Sequence, residues 1–171
     1  LHAMPYAGKT PEDCSVAVIG RKRVGTAAVK QLELLGVPTL DIYHTGNSQE
    51  LKQRIGDYDV IVDCACSNDE ILTSGDLSKM KPGALFIDMG RSCMWGSYSA
   101  QSIYAPTVLI NDGRNLVYCV KNIPTLAYQT ATRHNSRDVA PYINMLVKRE
   151  MDKVLKDAVV VDKGVVVDEK V

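Results

Sequence analysis

Ser15-Val-Ala-Val-Ile-Gly-Arg-Lys-Arg-Val-Gly25 is the stretch that decides the fold. An uncharged apolar run enters a turn bounded by Gly20 and Gly25, and the residues that follow, Thr26–Leu35, have helical spacing. Strand, glycine turn and helix in that order outline a dinucleotide-binding βα unit. In such a unit the helix N-terminus offers free N–H groups and a partial positive charge to a pyrophosphate. The first glycine permits the tight turn, the second lets phosphates approach the backbone, and the third lets helix and strand pack. Gly20 and Gly25 take the first and third roles, and Lys22 stands in the second. Its side chain takes up space where a pyrophosphate would lie, and a left-handed backbone there would add roughly 1–2 kcal/mol of strain. On the other side, Arg21, Lys22 and Arg23 set three cations beside a site for anions, where they could engage phosphate oxygens directly. The plainer reading of the three is a solvated, charged loop.

Outward from this turn the pattern repeats. Val16–Ile19, Val60–Val62 and Leu85–Ile87 are short apolar runs that suit parallel strands covered on both faces. Val24–Leu35 and Gln49–Ile55 between them have helical spacing, and Pro38–Tyr43 supplies another strand after a helix stop at Gly36. The alternation predicts an α/β, Rossmann-like, doubly wound and mostly parallel sheet. Asp76–Met80 reads as a short helix, and Lys81-Pro82-Gly83 as the turn into the next strand. Val108–Asn111 and Leu116–Val120 read as two further strands joined by an Asp112-Gly113 hairpin signal. A long helical region follows from about Leu126 to Leu155, with Pro141 expected to break or kink it. The tail, Ala158–Val161 and Val165–Val167 around Gly164, reads as a small β-hairpin that needs something to pack on. The expected division is a Rossmann-like dinucleotide-binding domain over 1–125 and a C-terminal helix and hairpin over 126–171.

A chain of 171 residues is long enough to bury a real core. Lys+Arg and Asp+Glu both number 20, so no net charge draws it to nucleic acid or to a membrane surface. No apolar run approaches a bilayer span, and Leu1-His2-Ala3-Met4-Pro5 lacks the features of a signal peptide, so a cytoplasmic location is expected. The cysteines, Cys14, Cys64, Cys66, Cys93 and Cys119, are odd in number and scattered, which argues against a disulfide framework. Cys64-x-Cys66 could be half a metal site. With three histidines and no second close Cys pair, the reading without metal is preferred: Cys64 in or just after a buried strand, Cys66 in its loop.

The acid that receives the ribose hydroxyls is expected about 20 residues beyond the turn. Loose spacing offers Asp41. A strand running on to Tyr43 instead ends in Tyr43-His44-Thr45, with no acid at its tip. A missing acid beside cations favours a 2′-phosphate, hence NADP over NAD. Asp41 could then be a strand residue facing a polar neighbour.

Several segments together resemble the nucleotide-binding half of the alanine dehydrogenase family, which includes opine-type N5-(carboxyethyl)ornithine synthases. They are Gly8–Cys14 leading into Val16–Gly20, Met80–Asp88, Cys93-Met-Trp-Gly-Ser97, Tyr118–Pro124, and Thr130-Ala-Thr132 leading to Ala140-Pro-Tyr142. The resemblance covers nearly the whole chain. It implies a nicotinamide cofactor, NADP or NAD, and hydride transfer to an imine or keto acid by an oxidoreductase of amino-acid metabolism. The partner would be a small amino acid or keto acid held by a substrate domain that this chain lacks, with Leu1–Tyr6 as the end of the linking helix and the C-terminal helix and hairpin bracing that domain. A homo-oligomer is implied as well.

Carried over by position, the resemblance puts Gly20, Arg21, Lys22, Arg23 and Val24 at the pyrophosphate. Tyr43 and His44 fall near the adenosine ribose, and Cys64, Ala65 and Cys66 near the adenine. Met89, Val120 and Asn122 approach the nicotinamide. Ser92 stands where the family has its catalytic aspartate, and a serine cannot replace a carboxylate in charge stabilisation or proton transfer at neutral pH. Two other readings therefore stand beside the oxidoreductase: a catalytically degenerate binding or assembly module, and a domain that binds another phosphate-bearing ligand through Arg21–Arg23. Trp95 is read as either a stacking residue or a core cap, His134 as a surface or packing residue, and Asp88 as a strand-end hydrogen-bonding residue.

Overall fold

The computed structural model describes residues 2–65, 71–90, 105–120 and 123–167. These fall into two units, residues 1–123 and 124–171.

The first unit is a six-stranded sheet in the order β2-β1-β3-β4-β6-β5. Its strands are β1 (Ser15–Ile19), β2 (Thr39–Tyr43), β3 (Val60–Asp63), β4 (Leu85–Asp88), β5 (Thr107–Ile110) and β6 (Asn115–Tyr118). All pairings are parallel except that of β5 with β6. β1, β3 and most of β4 are buried on both faces, which is why their sequences read as continuous apolar runs rather than alternating ones. Ala17, Ile19, Ile61, Phe86 and Val117 pack one face against Leu51, Ile55, Leu72, Leu77 and Met80. On the other face Val16, Val18, Val60 and Leu85 are buried, and helix α1 (Arg23–Leu34) contacts β1 and β2.

Helix α2 (Ser48–Arg54) lies between β2 and β3 in the chain, as the spacing predicts. Helix α3 (Ser74–Leu77) starts two residues earlier than read, because Thr73 caps it. The Thr73 side chain accepts from the Asp76 N–H at 3.2 Å, and Asp76 accepts in return from the Thr73 N–H at 3.0 Å. The β5–β6 turn has Asn111, Asp112 and Gly113 at φ +54°, +56° and +81°, a left-handed run for which Asn, Asp and Gly are the favoured residues.

The second unit holds α4 (Tyr128–Val147), α5 (Lys153–Asp157) and the two-stranded hairpin of β7 (Val161–Asp162) and β8 (Val165–Val166). The hairpin is shorter than its apolar runs. It turns through Lys163 and Gly164, both at positive φ. The long helix does not break at Pro141, which lies inside α4. The interruption comes after Lys148, where Arg149 takes φ +59°, and Asp152 then caps α5 by accepting from the Leu155 N–H at 2.8 Å. Proline removes one helical hydrogen bond, whereas a left-handed residue ends the helical path. None of the described residues of this unit is buried. No described helix of either unit is long and apolar enough to cross a membrane.

Candidate dinucleotide site

The chain leaves β1 for β2 on one side and then returns past it to β3 on the other. The C-terminal ends of β1 and β3 therefore frame the point where the strand order reverses, the place where open α/β sheets bind ligands. Two hydrogen bonds hold the strand tips together there. The Gly20 N–H donates to the Tyr43 carbonyl at 2.8 Å, and the Cys64 N–H donates to the Ile19 carbonyl at 2.8 Å.

Gly20 is buried at φ +108°, and a Cβ there would lie 2.9–3.0 Å from backbone atoms of Cys64 and Ala65. A Cβ on Gly25 would lie 1.9 Å from the Gly20 carbonyl oxygen. Both outer glycines are thus demanded by contacts of backbone on backbone. Lys22 meets no such demand. It is the N-cap of α1, at φ −80° and ψ −171°, so the left-handed strain weighed for that position does not arise. No side chain caps this helix, and no acid stands in its first turn. Thr26 closes the turn instead, its hydroxyl donating to the Arg21 carbonyl at 3.1 Å.

A cleft of about 450 Å³ opens between the three strand tips. Gly20, Arg21 and Lys22 line it from the β1 turn, His44 and Thr45 from β2, and Cys64, Ala65 and Ile71 from β3 and beyond. A neighbouring cleft of about 480 Å³ is lined by Lys22, Arg23, Val24 and Cys64. Arg21, Lys22 and Arg23 are exposed, and among the described residues none of them has an ion-pair partner.

The two residues read together at the β2 tip part company. Tyr43 is a core residue, 2% exposed, with its hydroxyl 2.6 Å from that of Tyr58. The period of the strand turns alternate residues to opposite faces. His44, one residue on, lines the cleft. Its Nδ1 accepts from the Gly46 N–H at 3.0 Å, and its own N–H donates to Asn47 Oδ1 at 2.7 Å.

Asp41 is the strand residue with polar neighbours. It accepts from the Tyr58 hydroxyl at 2.6 Å and pairs with Arg54 Nη2 at 3.1 Å. Burial first, then the hydrogen bonds to Asp41 and Tyr43, push the Tyr58 phenol far above its ordinary range.

Cys64 is buried just after β3, and Ala65 is partly buried beside it. The Ala65 N–H donates to Asp63 Oδ1 at 2.9 Å, which shapes the exit from β3. Met89 follows β4 and is 41% exposed, whereas Val120, beyond β6, is 6% exposed. Cys66, Ser92, Trp95 and Asn122 lie outside the described residues. Asp88 ends β4 in register with Asp63. His134 is exposed on α4, 3.4 Å from Arg137. Among the described residues no group of three or more His, Cys, Asp or Glu could hold a metal.

Three features were missed from the sequence. Thr45 and Ile71 line the cleft, and Thr26 latches the turn. Gly90 is the third: a Cβ there would lie 2.0 Å from the Ala65 carbonyl oxygen, so the loops after β3 and β4 touch through backbone. A glycine two residues past a strand end is the signal that could have pointed to it.

The alanine dehydrogenase/PNT C-terminal domain model matches residues 31–170. Among solved structures, an L-alanine dehydrogenase superposes with TM-score 0.75 at 19% identity, covering 91% of this chain and 51% of its own. Dipicolinate synthase A chain from Bacillus subtilis superposes with TM-score 0.60 at 20% identity, covering 87% and 51%. This chain thus spans about half the length of each, and at these identities the likeness is one of fold. No curated protein matches by sequence. The match over residues 31–170, on a sheet of this order, makes the chain a member of the alanine dehydrogenase/PNT C-terminal domain family.

Proposed function

We propose that this chain is the cofactor domain of a nicotinamide-dependent oxidoreductase of the amino-acid or opine type. What carries the reading is the convergence at the switch-point cleft of an uncapped helix N-terminus, two glycines fixed by backbone contact, and two cations, Arg21 and Lys22, without counter-ions among the described residues, with Arg23 lining the cleft beside it. That donor set fits a dinucleotide. The N–H groups at the start of α1 and the side chains of Arg21 and Lys22 would hold the pyrophosphate. His44 and Thr45 would receive the adenosine ribose, and Cys64 and Ala65 the adenine side. Met89, past the end of β4, would face the nicotinamide, with Val120 and Asn122 assigned there by the family resemblance.

The bound cofactor would supply hydride to an imine or keto acid. This chain's part is to bind and orient it. The absence of an acid at the β2 tip, with Asp41 already engaged by Arg54 and Tyr58, favours NADP over NAD. The substrate, an amino acid or its keto acid, would sit on a separate domain, with the α4 region as a brace and a homo-oligomer as the assembly. The odd number and scattered spacing of the five cysteines suit a reducing compartment, in keeping with a cytoplasmic enzyme.

Calorimetric titration of the chain with NADPH and with NADH tests the reading. Binding of either in the micromolar range is expected. Failure of both to bind at millimolar concentration would leave a family member that has lost its cofactor.

A further inference from the structure

We propose that Gly90 is a positioning residue for the nicotinamide end of the cofactor: it lets the exit of β4 seat against Ala65 and so fixes where Met89 stands. The inference rests on the cofactor reading above and goes further by naming a residue that lines neither cleft yet acts on what they hold.

β3 lies between β1 and β4 in the sheet, so the chain leaving β3 at Cys64 and Ala65 has the exits of β1 and β4 on either side. On the β1 side, a Cβ on Gly20 would come within 2.9–3.0 Å of main-chain atoms of Cys64 and Ala65. On the β4 side, a Cβ on Gly90 would overlap the Ala65 carbonyl oxygen and stand 2.7 Å from the Ala65 nitrogen. Gly20 is backed in turn by Gly25, where a Cβ would overlap the Gly20 carbonyl. Gly25, Gly20, Ala65 and Gly90 thus form a row in which main chain meets main chain at every step. The requirement for glycine at position 90 is one of space alone, since its φ lies outside the left-handed range.

A side chain at position 90 has to be accommodated at one end of this row. Ala65 cannot recede from it. Gly20 and Gly25 close the space behind, and the Ala65 N–H is bonded to Asp63 Oδ1 at 2.9 Å. Gly90 stands at the partly exposed end, whereas Gly20 and Gly25 are buried. Residue 90 is therefore the one that moves, outward, because a packed interior yields where it borders solvent. Met89 moves with it, although its N–H donates to the Asp63 carbonyl at 2.9 Å. The phosphate turn and the Cys64–Ala65 wall stay in place. Gly90 thus governs one end of the ligand and leaves the other alone.

The test is Gly90→Ala in the full chain, read with NADH, NADPH and ADP, which carries adenosine and pyrophosphate without nicotinamide. Calorimetry gives the affinities, and the fluorescence of the reduced nicotinamide at saturation reports its surroundings. The variant should bind the preferred dinucleotide ~10-fold more weakly and ADP less than ~2-fold more weakly, as a displaced positioning contact allows. The emission of its saturated complex should move towards that of free dinucleotide. Met89→Ala, at a position 41% exposed, leaves the row untouched and serves if Gly90→Ala does not fold. It should show the same split and the same change in emission. Equal losses for dinucleotide and ADP would place the effect of Gly90 on the phosphate turn and overturn the proposal. Unchanged dinucleotide affinity and emission, in either variant, would overturn it as well. Both of these results leave the cofactor reading standing, whereas a wild type that binds neither dinucleotide would remove the two together.

Discussion

Lys81 Nζ stands 2.6 Å from Asp59 Oδ1, at the end of the sheet opposite the cleft. The same carboxylate takes the Ser15 N–H at 3.0 Å and the Ser15 hydroxyl at 2.7 Å, with Lys9 at 3.4 Å. The pair ties the starts of β1 and β4 to the residue that precedes β3. Burial alone would raise the Asp59 pKa, but the hydrogen bonds from Lys81 and Ser15 outweigh it and hold the group well below the usual carboxylate range.

Asp59 therefore predicts a stability step with a definite sign. Its folded pKa is depressed, so its contribution is full above the unfolded value of about 3.9 and is lost as pH falls through the folded value. Asp59→Asn should cost roughly 1.5–3 kcal/mol at pH 7. Urea melts should show the gap between wild type and variant closing as the pH is taken from 5 towards 2. A gap unchanged across that range would mean that the carboxylate's charge contributes nothing to stability.

Gly25 and Gly36 are predicted to fail for different reasons. Gly25→Ala puts a methyl into the Gly20 carbonyl, which only a shift of α1 can relieve, at a cost of about 3 kcal/mol, the upper end for overpacking. Gly36 is at φ +74° with nothing within 4 Å of its missing Cβ. Gly36→Ala should cost roughly 1–2 kcal/mol from backbone strain alone. Thermal melts rank the two, and only Gly25→Ala should also lower dinucleotide affinity. The reverse order would refute the close approach at Gly25.

Tyr58→Phe removes the hydroxyl that joins Asp41 to Tyr43. Arg54 still reaches both, Asp41 at 3.1 Å and the Tyr43 hydroxyl at 3.2 Å, so the loss should be partial, about 1–2 kcal/mol. In the wild type the phenol should stay protonated until the protein unfolds in alkali. An ultraviolet titration with a tyrosine-58-specific difference signal near the ordinary phenol range would contradict that.

Lys22→Ala separates folding from binding. Its backbone is unstrained and its side chain is exposed, so stability should change by less than about 0.5 kcal/mol. Dinucleotide affinity should fall roughly fivefold, equivalent to about 1 kcal/mol, with a shallower salt dependence. Tighter binding in the variant would show that the lysine obstructs the pyrophosphate.

The parallel sheet was legible because each central strand is buried on both faces and so spells itself as Val, Ile, Leu and Phe. The roles of Gly20 and Gly25 were legible because strand, turn and helix are contiguous in the chain. The side of the strand on which Tyr43 lies was not, since a position near a strand tip fixes distance along the chain but not the face. The close approach of Gly90 to Ala65 depends on β3 and β4 being neighbours, and the partners of Asp41 depend on α2 folding back over β2. Both are facts of strand order and packing that no local pattern spells. Pro141 misled for a related reason: one missing N–H weakens a helix, while the left-handed residue that ends α4 is an arginine that carries no such mark.

The unstrained backbone at Lys22 separates two kinds of selection on one short turn. Gly20 and Gly25 are policed by folding, because any side chain there meets main chain. The residue between them is free to vary as far as the fold is concerned, since every L-amino acid can adopt its conformation. A lineage carrying this turn can therefore explore new ligands by single substitutions at position 22, with the scaffold inherited intact.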